Sequence, residues 1–564
     1  MPIEKKPSEQ QTGADIVVRT LEQQDVKWVF GVPGAKIDKV FNTLVDSSIQ
    51  TVVCRHEQNA AFIAGGIGRM TGKAGIAIAT SGPGVSNLVT GLATANTEGD
   101  PVIALGGAVA LSDRLKKIHQ SMDSVSLCKP VTKYSAEVDS PESVSEIMTN
   151  AFRSAQSDRA GAAFVSLPMD VMVAPAKCEV LTPSVYCGAG PADATAIKEA
   201  ARLINQAKKP VVLLGLLASK PQNSAAVHQF IETGKLPVVG TFQAAGAVSM
   251  NLFRNFGGRV GQTNNQPADD ILAAGDLVIS IGYDPVEYWP SIWNKGNKRP
   301  IVHLDALPAD IDNAYSPAVE LTGDISATLQ LLTPMLSQSS PEPSIKRILK
   351  QIAEDREELA RSSAALNGTP VHPLRLVTEL QNVLTPDTTL CLDMGSFHLW
   401  MARHLYSFRA RQMLISNGQQ TLGVAFPWAI AATLVRPSEK VLSISGDGGF
   451  LFSAMELETA VRLQSNLVHM IWIDGTYDMV AVQEEQKYGR PSGTQFGPVD
   501  PVKYAEAFGA HGFMIQSPDR IAPVLKQAFD TPGPVLIGVH VDYRDNHKLF
   551  EQVKERSIHS SSRC

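Results

Sequence analysis

Short apolar runs alternate with helix-patterned stretches along the whole chain, and the alternation falls into three blocks. In the first block, apolar runs at 26–30, 51–54, 74–80, 101–107 and 164–167 predict strands, the last of them closing the block. Residues 14–24, an Ala/Gly-rich stretch ending near 70, and 85–96 carry helical spacing. Gly31-Val32-Pro33-Gly34 predicts a turn after the first strand. In the second block, 211–214, 237–239, 277–281 and 301–304 predict strands; in the third, 388–393, 413–416, 441–445, 467–473 and 535–541 do so. Strands separated by helices predict an α/β fold of three domains, each a parallel sheet covered by helices. The blocks place the domains at 1–185, 190–340 and 372–564. Residues 341–371 form a helical linker bracketed by Ser- and Pro-rich stretches, and the polar tail 551–564 is expected to be loose.

Length agrees with this division, because 564 residues exceed what one core serves. A hydrophobic content of 44% supports globular folding. A net charge of −6 gives no basic footprint, so nucleic acid is not an expected partner. The polar amino terminus has no apolar core of a signal peptide. No apolar run reaches the roughly 18 residues that would span a bilayer. The closest, 421–435, contains Pro427 and predicts a buried helix. Six cysteines are scattered without CxxC pairs, which points to reduced thiols and a cytoplasmic location.

Chemistry concentrates in 441–479. The predicted strand 441–445 runs into Gly446-Asp447-Gly448-Gly449, where the backbone can approach a ligand closely. A helical pattern follows from Ala454, and the strand 467–473 delivers Asp474 at its carboxyl end. Two carboxylates on adjacent strand ends suit Mg2+, which takes one or two carboxylates together with substrate phosphates. Gly-Asp-Gly alone is more often a plain turn; the ordered strand, glycine turn, helix, strand and acid is far more specific.

That stretch resembles the motif of the thiamine diphosphate (ThDP) enzymes, a GDG followed by a metal-ligating residue where this chain has Asp474. The resemblance implies Asp447, Asp474 and the Thr476 carbonyl as Mg2+ ligands, with Gly446, Gly448 and Gly449 beside the diphosphate. Most relatives carry Asn at the position of Asp474, and the added charge is expected to strengthen metal binding and to repel the diphosphate somewhat. Within RHEQNAAFIAGGIGR, Glu57 matches the glutamate that hydrogen-bonds the cofactor's aminopyrimidine; taken alone it reads equally well as a helix-dipole carboxylate. Pro83 and Asn87 match residues against the pyrimidine, and Gly395, Ser396 and Phe397 match the diphosphate-side loop. Gln420 and Leu422 belong to the loop that bends the cofactor, with Leu422 as the wedge between its rings. Tyr477, Met479 and Val480 continue the cofactor wall.

The resemblance covers almost the whole chain and is closest to the catabolic, FAD-independent acetolactate synthases, through VPGAKID (32–38), IHQSMD (118–123), 416–423 and 446–462. It implies decarboxylation of pyruvate and condensation with a second pyruvate to 2-acetolactate, which would feed acetoin or butanediol formation. It implies ThDP and Mg2+ as cofactors. FAD is not expected, because the middle block reads GGRVGQTNNQ and GYDPVEY where the flavin-dependent branch has other sequences. Lys36, Gln120 and Gln483 match the substrate end; for Lys36 a solvated surface and for Gln120 a satisfied core amide are equally good readings. Gln483 stands where a Trp favours 2-ketobutyrate in the biosynthetic branch, so that acceptor is not expected. Glu57 and the GDG unit would meet across two chains, making a homodimer the active unit and a homotetramer the expected assembly. The alternatives are another ThDP-dependent 2-oxo acid decarboxylase or pyruvate oxidase, a silent ThDP-fold scaffold, and, more distantly, a nicotinamide dehydrogenase. The missing glycine fingerprint disfavours the last.

Overall fold

The computed structural model describes residues 11–157, 159–182, 188–337 and 341–550. Cys187, Cys564 and the tail 551–564 lie outside the described residues. The chain forms three six-stranded sheets in which every pairing is parallel. The first contains β1 (Trp28–Val32), β2 (Gln50–Val53), β3 (Gly75–Ala79), β4 (Val102–Ala108), β5 (Tyr134–Glu137) and β6 (Ala162–Pro168), in the order β2-β1-β3-β4-β6-β5. The second contains β7 (Pro210–Leu214), β8 (Val238–Thr241), β9 (Phe256–Val260), β10 (Leu277–Ile281), β11 (Ile301–Asp305) and β12 (Val319–Thr322), in the order β12-β11-β10-β7-β8-β9. The third contains β13 (Thr388–Leu392), β14 (Met413–Ile415), β15 (Lys440–Gly446), β16 (Leu467–Ile473), β17 (His511–Ile515) and β18 (Val535–His540), in the order β14-β13-β15-β16-β18-β17. Central strands such as β3, β4, β6 and β16 are buried on both faces, as helix-covered parallel strands must be.

Four strands escape the sequence pattern: β5, β9, β12 and β17, so β6 closes the first block but is not its edge. Gly31 and Val32 belong to β1 rather than to a turn. A Cβ on Gly31 would lie 1.9 Å from the Ile78 carbonyl oxygen, so the close approach of β3, not a turn, requires glycine here. The helical pattern after Gly446 is also divided differently. A short helix, Asp447–Phe450, starts directly at the strand end, a 3-10 turn covers Ala454–Glu456, and a helix follows at Leu457–Arg462. The buried helix around Pro427 is present as Ala425–Val435, with the proline in its first turn, where its missing N–H costs nothing. The expected linker helix is Pro343–Ser363.

The first and third sheets meet through two helices, Glu57–Thr71 and Ala425–Val435. The crossing is close: a Cβ on Gly66 would lie 2.8 Å from the Ala431 Cβ. The Arg69 guanidinium lies 4.6 Å from the centroid of the Trp428 ring. It donates to Asp100 at 2.9 Å, to Glu98 at 2.7 Å and to the Ile415 carbonyl at 2.7 Å. Removing one member of this buried set would strand a charge, at a cost of about 3–5 kcal/mol.

Candidate active site

β15 and β16 run side by side with Gly446 paired to Trp472, so Asp447 and Asp474 leave neighbouring strand ends. Asp447 Oδ1 accepts from the Gly448 N–H at 3.0 Å and Oδ2 from the Gly475 N–H at 2.8 Å. Asp474 Oδ2 and Thr476 Oγ1 are buried without a hydrogen-bond partner among the described residues. Burial, with the carboxylates of Asp447 and Asp478 close by, pushes the Asp474 carboxyl well above the usual carboxylate range. A divalent cation would remove that repulsion. Among the described residues no three His, Cys, Asp or Glu side chains form a closed metal cage. The donors here include two carboxylates, an open, hard set of the kind Mg2+ completes with phosphate and water.

These strand ends open into a cavity of about 210 Å³. Ser396 and Phe397, expected in a loop, line it from the start of the helix Ser396–His404, which Gly395 caps, and Gln420 and Leu422 line it from the loop before the Ala425–Val435 helix. Gly446, Asp447, Gly448 and Gly449 form one wall; Asp474, Thr476, Tyr477, Met479, Val480 and Gln483 form another. A Cβ on Gly448 would lie 2.7 Å from the Tyr477 ring, and one on Gly449 would lie 3.2 Å from Asp393 Oδ2. The cradle therefore takes glycines where a side chain would meet its own wall. Asp393 is buried, and burial pushes its carboxyl up to about 7. It accepts from the Gly423 N–H at 2.9 Å, fixing the end of the Leu422 loop.

The residues predicted on the first block form a second group. Glu57 heads the helix Glu57–Thr71, is 9% exposed, and accepts from Asn87 Nδ2 at 3.0 Å through Oε2. Its Oε1 lies beside Gly84, where a Cβ would come within 3.5 Å. Asn87 and the exposed Pro83 sit in the first turns of the helix Pro83–Glu98. The Lys36 N–H faces Thr80 Oγ1 at 3.4 Å, and Ser81 Oγ donates to Gln120 Oε1 at 3.2 Å. Gln120 is exposed, with φ of 64°, and is not a core amide. None of these five residues lines the 210 Å³ cavity. The structure thus collects two clusters, one per sheet, and does not bring them together within one chain. His56 caps its helix by accepting from the Gln58 N–H at 3.1 Å, a structural role.

Comparison with known proteins agrees with this geometry. The thiamine pyrophosphate enzyme family matches as N-terminal TPP binding domain over 11–127, central domain over 197–332 and C-terminal TPP binding domain over 393–539. The catabolic acetolactate synthase of Raoultella terrigena is 53% identical over 544 residues, covering 96% of this chain and 97% of the relative. The acetolactate synthase of Bacillus subtilis (strain 168) is 48% identical, covering 97% and 96%. The large subunit of acetolactate synthase isozyme 2 from Escherichia coli (strain K12) is 31% identical, covering 95% and 96%. The chain belongs to the acetolactate synthase family of thiamine pyrophosphate enzymes.

Three lining residues of this acetolactate synthase-family cavity were not predicted: Met394, Asp478 and Tyr543. Asp478 accepts from Ser396 Oγ and from Asn546 Nδ2, and so ties the start of the helix Ser396–His404 to the helix Asp478–Tyr488. It stands between Tyr477 and Met479, so its place in the stretch was a usable signal. Tyr543 comes from a loop with no motif, and only folding places it there.

Proposed function

We propose that this chain is an acetolactate synthase that joins two pyruvates, with release of CO2, to give 2-acetolactate, using ThDP and Mg2+. The observation that carries this is the cavity itself. Two strand-end carboxylates, one with an unpartnered buried oxygen, face a glycine-lined cradle in a chain that is full-length similar to acetolactate synthases. Asp447, Asp474 and the Thr476 carbonyl would hold the cation. Gly446, Gly448 and Gly449, with Gly395, Ser396 and Phe397 at the start of the helix Ser396–His404, would take the diphosphate. Leu422 and Gln420, with Tyr477, Met479 and Val480, would enclose the rings. When bound, ThDP supplies the electron sink that decarboxylation of a 2-oxo acid needs.

The chain's own part is binding, proton handling and exclusion of water. Glu57 is held by Asn87 through one oxygen, which orients the other to hold a proton at the pyrimidine. Its near-complete burial keeps water from competing for that proton. Pro83 would bear on the pyrimidine ring. Lys36, Gln120 and Gln483 would face the substrate. Gln483, exposed at the cavity edge, leaves room for pyruvate without the bulky aromatic that favours a larger acceptor.

We place the complete site between two copies, which makes a homodimer the active unit within a homotetramer. The separation of the Glu57 cluster from the cavity supports this, as do the exposed apolar side chains Leu451, Phe452, Tyr477 and Val480 around the cavity's strand ends. We also propose domain limits of 1–185, 190–340 and 372–564 with 341–371 as linker. FAD is not required in this reading. The crevice at the carboxyl ends of β7, β10 and β11 leaves a cavity of about 50 Å³, against about 210 Å³ at the ends of β15 and β16. Arg159 and Asp284 pair there, and Glu287 fills its floor. No helix among the described residues is long and apolar enough to cross a membrane. The free thiols Cys54, Cys128, Cys178 and Cys391 fit a reducing cytoplasm.

The test is acetolactate formation from pyruvate with ThDP and Mg2+ and without FAD, before and after chelation. Product that vanishes on chelation and returns with Mg2+ is expected. A requirement for FAD, or turnover indifferent to chelation, would overturn the cofactor assignment.

A further inference from the structure

Glu98 is the last residue of the helix Pro83–Glu98, eleven residues beyond Asn87, and is completely buried. Its two carboxylate oxygens are used differently. Oε2 accepts from Arg69 Nη2 at 2.7 Å and from Gln243 Nε2 at 2.6 Å, linking the first and second sheets. Oε1 accepts from the main-chain N–H of Asn417 at 2.9 Å, from that of Gly418 at 2.8 Å and from Ser416 Oγ at 3.1 Å. Arg69, which also pairs with Asp100, engages only Oε2. The second oxygen is instead given to two successive amides at the start of the loop that carries Gln420 and Leu422.

The rest of that loop is laid along the same helix face. Gln419 Nε2 donates to Thr97 Oγ1 at 2.9 Å, and the hydroxyls of Thr421 and Thr94 are 2.8 Å apart. Thr94, Thr97 and Glu98 are spaced to share one side of a helix. The approach is so close that a Cβ on Gly418 would lie 2.4 Å from Thr97 Cγ2. At the far end the Gly423 N–H is held by both Asp393 oxygens at 2.9 Å. Between the two buried carboxylates Gln420 adopts φ of 50°, a left-handed conformation that a non-glycine residue keeps only where its surroundings impose it.

We propose that Glu98 is a positioning residue for cofactor binding: by accepting the Asn417 and Gly418 amides it fixes the loop 416–423 against the helix, and so sets where Gln420 and Leu422 stand in the cavity. This rests on reading the cavity as the ThDP site. Charge-assisted hydrogen bonds to main-chain amides are strong and directional, which suits a residue that places a loop without touching the ligand.

The test uses the full chain. Glu98→Gln keeps the size but removes the charge, so the side chain faces the two amides and Arg69 with one acceptor fewer. The expected result is wild-type far-UV circular dichroism and elution volume, faster deuterium uptake in 416–423, and a ThDP dissociation constant raised about tenfold or more, as the loss of a charge-assisted hydrogen bond implies. KM for pyruvate should stay close to wild type. A folded variant with wild-type ThDP affinity overturns the proposal. So does weakened binding without faster exchange in 416–423, which would place the role of Glu98 elsewhere. If Glu98→Gln does not fold, Glu98→Asp keeps the Arg69 pair but withdraws the oxygen from the loop, and is read in the same way; loss of folding in both variants overturns a role confined to positioning. The ThDP reading fails separately, if the wild-type chain does not bind ThDP at all.

Discussion

Asn87 Nδ2 donates to Glu57 Oε2 at 3.0 Å, between the first turns of the helices Glu57–Thr71 and Pro83–Glu98. The bond leaves Oε1 as the oxygen that would meet the pyrimidine in the proposed site. Glu57→Gln is therefore expected to fold normally and to lower kcat by about 10²–10⁴, the usual weight of a positioned acid–base group. Asn87→Ala should cost less, because it removes only the orientation. Steady-state kinetics on both variants checks the order; equal turnover of Glu57→Gln and wild type would remove Glu57 from the chemistry.

If the site forms between two chains, a Glu57→Gln chain and an Asp447→Ala chain should each be nearly inactive and yet recover activity when co-assembled. One interface of the mixed dimer would then pair an intact Glu57 with an intact Asp447. Activity of co-expressed, differently tagged chains purified through both tags measures this. No recovery in verified mixed dimers would place both clusters in one chain.

Gly448→Ala drives a methyl group into the Tyr477 ring at 2.7 Å, and that ring packs on Phe496 with centroids 4.9 Å apart. The ring is the far end of a side chain and can move, so the fold should survive while the cavity wall shifts. Weaker ThDP binding with a melting temperature near wild type is expected, by calorimetric titration and thermal melting. By contrast Gly66→Val loads the tightly packed helix crossing, where Ala431 and Trp428 cannot retreat. Overpacking there should cost about 1–3 kcal/mol of stability.

Burial pushes the Glu287 carboxyl up to about 8, although the Leu216 N–H and Thr241 hydroxyl donate to it and Arg159 is near. The folded chain thus keeps a proton that the unfolded chain releases near the ordinary Glu value. Its stabilising contribution is complete below the unfolded pKa and is lost as pH rises through about 8. Melting temperature should fall between about pH 5 and about pH 9, and Glu287→Gln should flatten that slope. An unchanged slope would mean that Glu287 is ionised in the fold.

The sequence made the strand interiors legible and the edges not. Leu467–Ile473 and Leu277–Ile281 are apolar runs interrupted only by His469 and Ser280, and are read to the residue. All four overlooked strands, Tyr134–Glu137, Phe256–Val260, Val319–Thr322 and His511–Ile515, stand at sheet edges. Three of them are partly exposed and carry polar residues, and the fourth hides its β-character behind two glycines. The site divides in the same way. Asp447, Asp474 and the loop residues were legible because each sits in a local pattern. Asp393, Glu98 and Tyr543 act through packing between segments apart in the chain, 30 residues for Asp393 and Gly423 and 319 for Glu98 and Asn417, which no local pattern records.

The central claim is carboligation, and its most direct measure is the ratio of pyruvate consumed to CO2 released by the purified chain with ThDP and Mg2+. Condensation to acetolactate consumes two pyruvates for each CO2, and that ratio is expected, with acetolactate recovered in amounts equal to the CO2. One pyruvate for each CO2, with acetaldehyde or acetate as the product, would contradict the account.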